Sequence, residues 1–565
     1  MTSSLSAPGV PVLRGQNRIR LLSMLFVAAF VSIGARLVFI TGTSPVEQKD
    51  KELVVTEARI PRPDIVDRNG VILATDLAVA SLYADPRKIY DLDEAVEQLT
   101  AAVPDLDARQ LRGRLTQQGK AFVWLKRQAS PEERDSVYNL GIPGVGYVNE
   151  RRRVYPYGRL TAHAVGYVDV DTKGIAGIEK YLDDHGALYT ASLTEPETNT
   201  AAPAQLSIDV RLQHVLNEEI ANAIRKFSAE AGGGIIMDIK SGEVLAVASL
   251  PDFDPNMEDK KFGKHQQNRM TSGVYELGSV IKAITFAMAL DAGVVGMNSK
   301  LDARVPLVIG RARIHDFHAE RRILTLPEVF TYSSNIGTAR MALAVGIEQH
   351  QEFLRRVGLM DRLQTELPES ATPLLPRRWG KLVSATAAFG HGFAVQPLQG
   401  LAVVAGILNG GVMVPPTFIK RSEVEADVLA TRIISQSTSK KMQYLFRLNA
   451  EKGSAARADV IGYRVGGKTG TAEKVVAGRY DPNSRLASFI GAFPMNDPKY
   501  ALFVMLDNPK GLKETYGFAT SGWNAVPTAG QIIERIAPLL RVPPVFTAED
   551  RAKLEKLARS RKSDG

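Results

Sequence analysis

The chain has no cysteine among its 565 residues. Disulfide scaffolds, thiolate zinc sites, iron–sulfur clusters, a cysteine nucleophile and a lipidated cysteine anchor are all excluded. Histidine is scarce, with 8 residues. The local group His315, Asp316 and His318 has ligand-type residues but no further histidine cluster beside it, so no metal site is expected there. These read as surface or groove residues. No internal repeat is visible. Nor does any nucleic-acid recognition motif accompany the net charge of +9, and a nucleic-acid partner is not expected. Part of that charge sits in what reads as a solvated tail, Arg551 to Gly565, with six basic residues against two acidic ones.

A chain this long exceeds one ordinary core of about 100–200 residues, so two or more domains are expected. Apolar residues at 45% and charged residues at 23% are normal for folded protein. From Leu21 to Ile40 runs LLSMLFVAAFVSIGARLVFI, charged only at Arg36. Twenty helical residues cover about 30 Å, the thickness of a bilayer core, and an arginine near the end can snorkel to the headgroups. A cleaved signal peptide, with Ser32 and Gly34 as small residues, is the competing reading, but the apolar stretch continues past them for spanning length. Arg14, Arg18 and Arg20 lie closer to the segment than Lys49, Lys51 and Arg59, which favours a cytoplasmic N-terminus. With no second span, the rest of the chain is expected outside the cytoplasm, where ATP and reduced nicotinamides are not available as substrates.

The expected organisation is a cytoplasmic tail (1–20), a transmembrane helix (21–40), a first outer module (41–200), a larger domain (201–545) and a charged tail (546–565). Between 60 and 185, short apolar runs alternate with turns such as Asn69-Gly70 and Pro156-Tyr157-Gly158, which predicts an α/β or mainly β module without strong helical periodicity. Residues 190–205, rich in Thr, Ala and Pro, read as a linker or exposed hairpin. Beyond Leu206, two apolar runs around Lys240-Ser241-Gly242 predict a β-hairpin. Helical patterns follow at 280–292, 327–344 and 381–408, and strands return at 460–475, 486–494 and 500–507. That order describes an α+β domain around an antiparallel sheet. At the tail, Thr547 and Asp550 have capping-box spacing.

Three short motifs in the larger domain carry candidate chemistry: Ser279-Val-Ile-Lys282, Ser333-Ser-Asn335 and Lys468-Thr469-Gly470-Thr471. Each alone is weak. Ser-x-x-Lys is expected about twice in such a chain, and Ser437 with Lys440 supplies the second copy, in a polar run with nothing to bury the lysine. The order and setting are what distinguish the first. Ser279 follows a Gly278 turn and opens a good helix pattern, so Ser and Lys at i and i+3 face the same way. A serine hydroxyl attacks an amide only when something takes its proton, and a neutral lysine can do so. The model lysine pKa is about 10.4, so burial and a second cation, for which Lys468 is the candidate, must push it down. Lys468 also suits a substrate carboxylate, Ser333 a proton relay to the leaving amine, and Asn335 a substrate amide. Backbone N–H groups of Ser279 and Thr471 would complete an oxyanion hole. Helix capping is the competing account of Ser333 and Asn335.

Taken together, the motifs resemble the active-site serine superfamily of penicillin-binding proteins and β-lactamases. Further segments resemble class B penicillin-binding proteins: Arg62-Pro-Asp-Ile-Val-Asp67-Arg68-Asn69-Gly70, Arg153-Val-Tyr155-Pro156-Tyr-Gly158, Gly174-Ile-Ala-Gly177-Ile-Glu179, Leu206-Ser-Ile-Asp209 and Ser249-Leu-Pro251. The match runs from about 60 to 530. Leu277, where the family commonly has proline, and Val280-Ile281, where Thr-Phe is usual, depart from the pattern without touching the catalytic atoms.

The resemblance implies a pedestal domain of the dimerisation type below a transpeptidase domain, and a serine D,D-transpeptidase that cross-links peptidoglycan. Ser279, Lys282, Ser333, Asn335 and Lys468 would be catalytic, with Thr469, Gly470 and Thr471 binding substrate. Donor and acceptor stem peptides and β-lactams are the implied ligands, with no cofactor and no metal. Arg62, Asp67 and Arg153 read as structural or partner-binding. Trp124-Leu-Lys-Arg-Gln128 and Ser521-Gly-Trp-Asn-Ala-Val-Pro527 look more like FtsI-type division proteins than elongation proteins. Implied partners are a polytopic SEDS-family glycosyltransferase and divisome proteins, at the septum of the inner membrane. A class A bifunctional protein would need a glycosyltransferase domain that the first module does not resemble. A β-lactamase would be far shorter and would need a deacylating base. A β-lactam sensor or a scaffold within a wall-synthesis complex is the non-enzymatic alternative, and the intact Ser279, Lys282 and Lys468 set argues against a pure scaffold.

Overall fold

Residues 21, 23–36, 62–117, 119–185, 202–257, 263–476, 478–548, 550–552 and 554–555 are described by a computed structural model of the chain. It divides into two units, Met1–Ile60 and Pro61–Gly565. In the first, residues 23–36 are helical and carry exposed apolar side chains such as Phe26 and Phe30. No helix among the described residues is long and apolar enough to cross a membrane; residues 37–40 of the expected span, like the tail at 1–20, lie outside them.

The pedestal is built on one long strand, Ile72–Ala84, which pairs antiparallel with Val123–Ala129 and with Val145–Val154. It is more helical than its sequence pattern predicts. Helices Leu92–Ala102, Ala108–Leu115 and Pro131–Asn139 cover the sheet, started by Asp91, Asp107 and the Ser130–Glu133 capping box. They are short, and their apolar faces are thin: Ala108–Leu115 buries only Leu111 and Leu115. One to three buried residues per helix are too few to stand out as a helical period, yet enough to close a small core with Leu82 and Leu125 of the sheet.

At its base the pedestal is tied by ions rather than oil. Glu179, fully buried, receives Arg153 Nε at 2.6 Å and Arg62 Nη2 at 2.8 Å; Arg153 also reaches Asp76 at 3.1 Å and Arg62 reaches Asp183 at 2.6 Å. Asp67 turns the chain by accepting the backbone N–H groups of Asn69 and Val71. These contacts give Arg62, Asp67 and Arg153 a structural role, one of the two roles expected for them, structural or partner-binding. The end of the expected linker is not loop: Ala204–Gln205 is a strand that pairs in parallel with Ile65–Val66. A core containing Ile65, Tyr155 and Ile178 of the pedestal continues into Met237, Phe286 and Phe330 of the larger domain.

The larger domain begins with helix α1 (Val210–Lys226) and the predicted hairpin β1 (Ala231–Asp238) and β2 (Val244–Leu250). Helices α2 (Lys282–Asp291), α3 (Asn335–Val345) and α4 (Gln436–Lys452) follow, then strands β3 (Gly466–Val476), β4 (Arg479–Phe493) and β5 (Tyr500–Asp507), and finally helix α5 (Ala525–Leu539). The strands form one antiparallel sheet in the order β3-β4-β5-β1-β2, so the C-terminal strands rejoin the first hairpin.

Alternate side chains go to opposite faces of a strand, and here both faces are covered. Ile236, Phe489, Leu502 and Val504 pack against α1 and α5, whereas Met237, Ile490 and Phe503 face the core that holds α2 and α4. The runs are therefore apolar throughout rather than alternating. β3 is one of the two edge strands of this sheet. Its free side faces the turn before α2, which places two of the three motifs side by side.

Candidate active site

Apolar residues all round α2 sink it into the core: Lys282 through Leu290 are buried. Lys282 is the ionisable residue of this buried stretch, and it is completely buried. Ser279 lies half-buried one turn earlier, on the 3-10 turn Gly278–Val280. It caps nothing: neither that turn nor α2 has a side-chain cap.

The second motif separates structural from available groups. Ser334 caps α3, its Oγ accepting from Gly337 N at 3.0 Å, and this leaves the flanking Ser333 and Asn335 side chains for other work. Ser333 takes a left-handed backbone, φ 58°, a conformation uncommon for a residue with a Cβ. Asn335 Nδ2 donates to the His315 carbonyl at 2.9 Å.

The third motif runs along β3. Lys468 is completely buried. Gly470 admits the nucleophile's own segment: a Cβ there would stand 2.5 Å from the Leu277 carbonyl oxygen and 2.9 Å from Val280 Cγ2. Only glycine lets the edge strand approach the Ser279 turn so closely. Thr469 Oγ1 lies 2.9 Å from Ser454 Oγ, and Thr471 Oγ1 accepts from Ser521 N at 3.3 Å.

All three motifs converge on the Ser333 hydroxyl. Lys282 Nζ stands 3.0 Å from Ser333 Oγ and also bonds the Ser333 carbonyl; Lys468 Nζ stands 2.9 Å from the same Oγ and 3.3 Å from the Thr469 carbonyl. Two ammonium groups around one hydroxyl, both out of water, cannot both stay charged cheaply. Burial, and then the charge of Lys468, push Lys282 well below its ordinary value, against a smaller opposing pull from Asp316. Burial alone brings Lys468 down to about 7. Lys282 is thus the neutral member. A neutral amine has two N–H donors and one lone pair. Both donors are aimed at Ser333, so the lone pair is left for a proton from elsewhere.

The decoys separate cleanly. Ser437 and Lys440 are exposed on α4, and Lys240 is exposed in the β1–β2 turn. Asp316, by contrast, is more than the surface or groove residue its sequence setting implied. Its Oδ2 accepts the Ser334 hydroxyl at 2.7 Å and its Oδ1 accepts Ile336 N at 2.9 Å, so it holds the start of α3. No spacing rule in the sequence links an aspartate to a helix start 18 residues later. Among the described residues no cluster of ligand-type side chains could hold a metal ion.

Comparison with known proteins matches residues 232–533 to the penicillin binding protein transpeptidase domain and residues 58–185 to the penicillin-binding protein dimerisation domain. A probable peptidoglycan D,D-transpeptidase FtsI from Caulobacter vibrioides is 41% identical over 490 residues, covering 85% of this chain and 82% of that protein. The peptidoglycan D,D-transpeptidase FtsI of Escherichia coli is 31% identical over 555 residues, covering 93% and 92%. A crystal structure of a peptidoglycan synthetase from Bifidobacterium adolescentis has the same fold, with a TM-score of 0.68 at 23% identity, over 86% of this chain and 97% of that one.

Proposed function

Because this chain belongs to the class B penicillin-binding proteins, the peptidoglycan D,D-transpeptidases of FtsI type, we propose that Ser279 is its nucleophile and that it works at the division septum. The observation that carries the site assignment is the Ser333 hydroxyl shared by two buried lysines, 3.0 Å from Lys282 and 2.9 Å from Lys468.

The reaction follows from that arrangement. The lone pair of neutral Lys282 takes the Ser279 proton as Oγ attacks the carbonyl of the penultimate D-Ala of a donor stem peptide. Charge builds on the carbonyl oxygen, stabilised by the backbone N–H groups of Ser279 and Thr471. Ser333 accepts bonds from both lysines, which frees its own proton for the departing nitrogen, and terminal D-Ala leaves. Lys282 resupplies Ser333. An amine from a neighbouring stem then attacks the ester, gives up its proton along the same path, and restores Ser279. Lys468, with Thr469, Gly470 and Thr471 along the edge strand, holds the terminal carboxylate, and Asn335 holds a substrate amide. β-Lactams enter as mimics of the same amide and stay bound as esters.

The apolar run from Leu21 to Ile40 supports a single inner-membrane anchor with the catalytic domain on the periplasmic side. A SEDS-family glycosyltransferase and divisome proteins are the proposed partners, reached through that helix and the pedestal. Depleting the protein should give filamentous cells, and rounded cells would contradict the septal role. Purified protein given stem peptides ending in D-Ala-D-Ala should release D-Ala and form cross-links, and Ser279→Ala should do neither.

A further inference from the structure

Three residues before Ser279, the carboxylate of Glu276 joins three separate pieces of chain. Its Oε1 accepts Gly392 N at 2.9 Å and the Tyr480 hydroxyl at 2.9 Å, and its Oε2 lies 3.3 Å from His391 Nδ1. The His391 ring lies over the Tyr480 ring, with centroids 4.5 Å apart and planes 30° from parallel. Glu276 is part of the nucleophile's segment, His391 and Gly392 come from the loop between the helices Lys381–Ala387 and Pro397–Leu408, and Tyr480 comes from the start of β4. Burial alone would raise the Glu276 carboxyl, but the bonds from His391, Gly392 and Tyr480 outweigh it and hold the group below its ordinary range.

The same loop is seated directly against the nucleophile's backbone. Tyr275 and Val395 exchange two backbone hydrogen bonds at 3.0 Å. Gly390, at φ 79°, is so close to Gly278 that a Cβ would stand 2.2 Å from its carbonyl oxygen. On the opposite side Gly470 of β3 closes on Leu277. Residues 275–278 are therefore clamped between the loop and the edge strand, and Glu276 is the side chain in that segment that fastens both the loop and the β3–β4 hairpin to it.

We propose that Glu276 is a positioning residue for acyl transfer, acting with His391 and Tyr480 to fix the Ser279 turn relative to β3, and that it touches neither substrate nor the reacting atoms. This rests on the reading of Ser279 as nucleophile. A carboxylate that only positions the turn should control how fast the bound ligand acylates Ser279, not how tightly it first binds.

The test is stopped-flow acylation by a fluorescent penicillin on the purified protein, resolving the initial dissociation constant from the first-order acylation rate. Glu276→Ala should lower that rate about a hundredfold, leave the dissociation constant within about twofold, and still reach full acylation. Glu276→Gln keeps an acceptor for Gly392 and Tyr480, and Tyr480→Phe removes a single bond; each should lose about fivefold, the worth of one hydrogen bond. Thermal melts accompany every variant, and if Glu276→Ala fails to fold, the two milder variants carry the test. A wild-type rate in these variants, a loss in Glu276→Gln as large as in Glu276→Ala, or a change confined to the dissociation constant would overturn the proposal. Penicillin adduct persisting in Ser279→Ala would instead overturn the underlying choice of nucleophile.

Discussion

Asp316 accepts the hydroxyl of Ser334 at 2.7 Å. The contact ties a loop residue to the serine that caps α3, and so sets where the neighbouring Ser333 presents its hydroxyl to the two lysines. Replacing Asp316 with alanine should destabilise the protein by about 1–2 kcal/mol, as loss of a helix cap does, and slow acylation more than its drop in melting temperature explains. Asp316→Asn, which keeps one carbonyl acceptor, should recover part of both. Denaturant unfolding and penicillin acylation rates measure the two effects.

Lys468 gives the reaction an alkaline limit. With its value down at about 7 in the free protein, it carries its charge below that pH and sheds it above. A bound carboxylate favours the charged form and raises the value again. The second-order acylation constant, which reports the free protein, should fall as pH rises through 7. The first-order rate of the bound complex should hold to higher pH, since the bound carboxylate keeps Lys468 charged there. A second-order constant that stays level from pH 6 to about 9 would contradict this.

The same burial bears on stability with a definite sign. The unfolded chain protonates Lys468 near its model value of 10.5, whereas the folded protein does so only near 7. Between these values the unfolded state holds the extra proton, so folding stability should rise with pH across the interval. Lys468→Met should lose the share of that slope due to Lys468, leaving the share due to Lys282, while losing activity. Urea unfolding of both proteins at several pH values tests it.

Arg153 is fully buried between Glu179 and Asp76. Arg153→Ala takes from Asp76 its guanidinium and from buried Glu179 one of its two, leaving Arg62, and should cost about 3–5 kcal/mol. Its effect should appear as a lowered urea midpoint for the pedestal, with the acylation rate of the protein that remains folded little changed, because the site lies in the other domain.

Gly390→Ala tests the packing around the nucleophile. Its Cβ would collide with the Gly278 carbonyl at 2.2 Å, in a backbone conformation that already disfavours alanine. An overpacking cost of about 1–3 kcal/mol is expected, with acylation reduced about a hundredfold because the Ser279 turn must shift.

What the sequence reveals and what it hides have physical reasons. The hairpin around Lys240-Ser241-Gly242 and the three C-terminal strands were legible because β-branched and apolar runs between turn residues have few other uses. α2 was legible because its buried face spans the whole helix. Ser279, Lys282 and Lys468 could be picked out by order and setting, and the fold gathers their segments around Ser333. Pedestal helices such as Ala108–Leu115 were hidden by having only two buried side chains. The roles of Asp316 and Glu276 were hidden for another reason. Each acts through contacts with residues distant in the chain, Glu276 across 116 residues to Gly392 and 204 to Tyr480. Such pairings exist only once the sheet has closed.

The central claim is that a neutral Lys282 arms Ser279 beside the Ser333–Lys468 pair. Its most direct test is intact-mass analysis after exposure to penicillin. The wild-type protein should gain the mass of one penicillin, localised by peptide mapping to the segment holding Ser279. Lys282→Met should gain almost none in the same time, although its serine is intact, and Ser279→Ala should gain none at all. An adduct that forms at the wild-type rate without the Lys282 amine, or that persists without the Ser279 hydroxyl, would contradict the account.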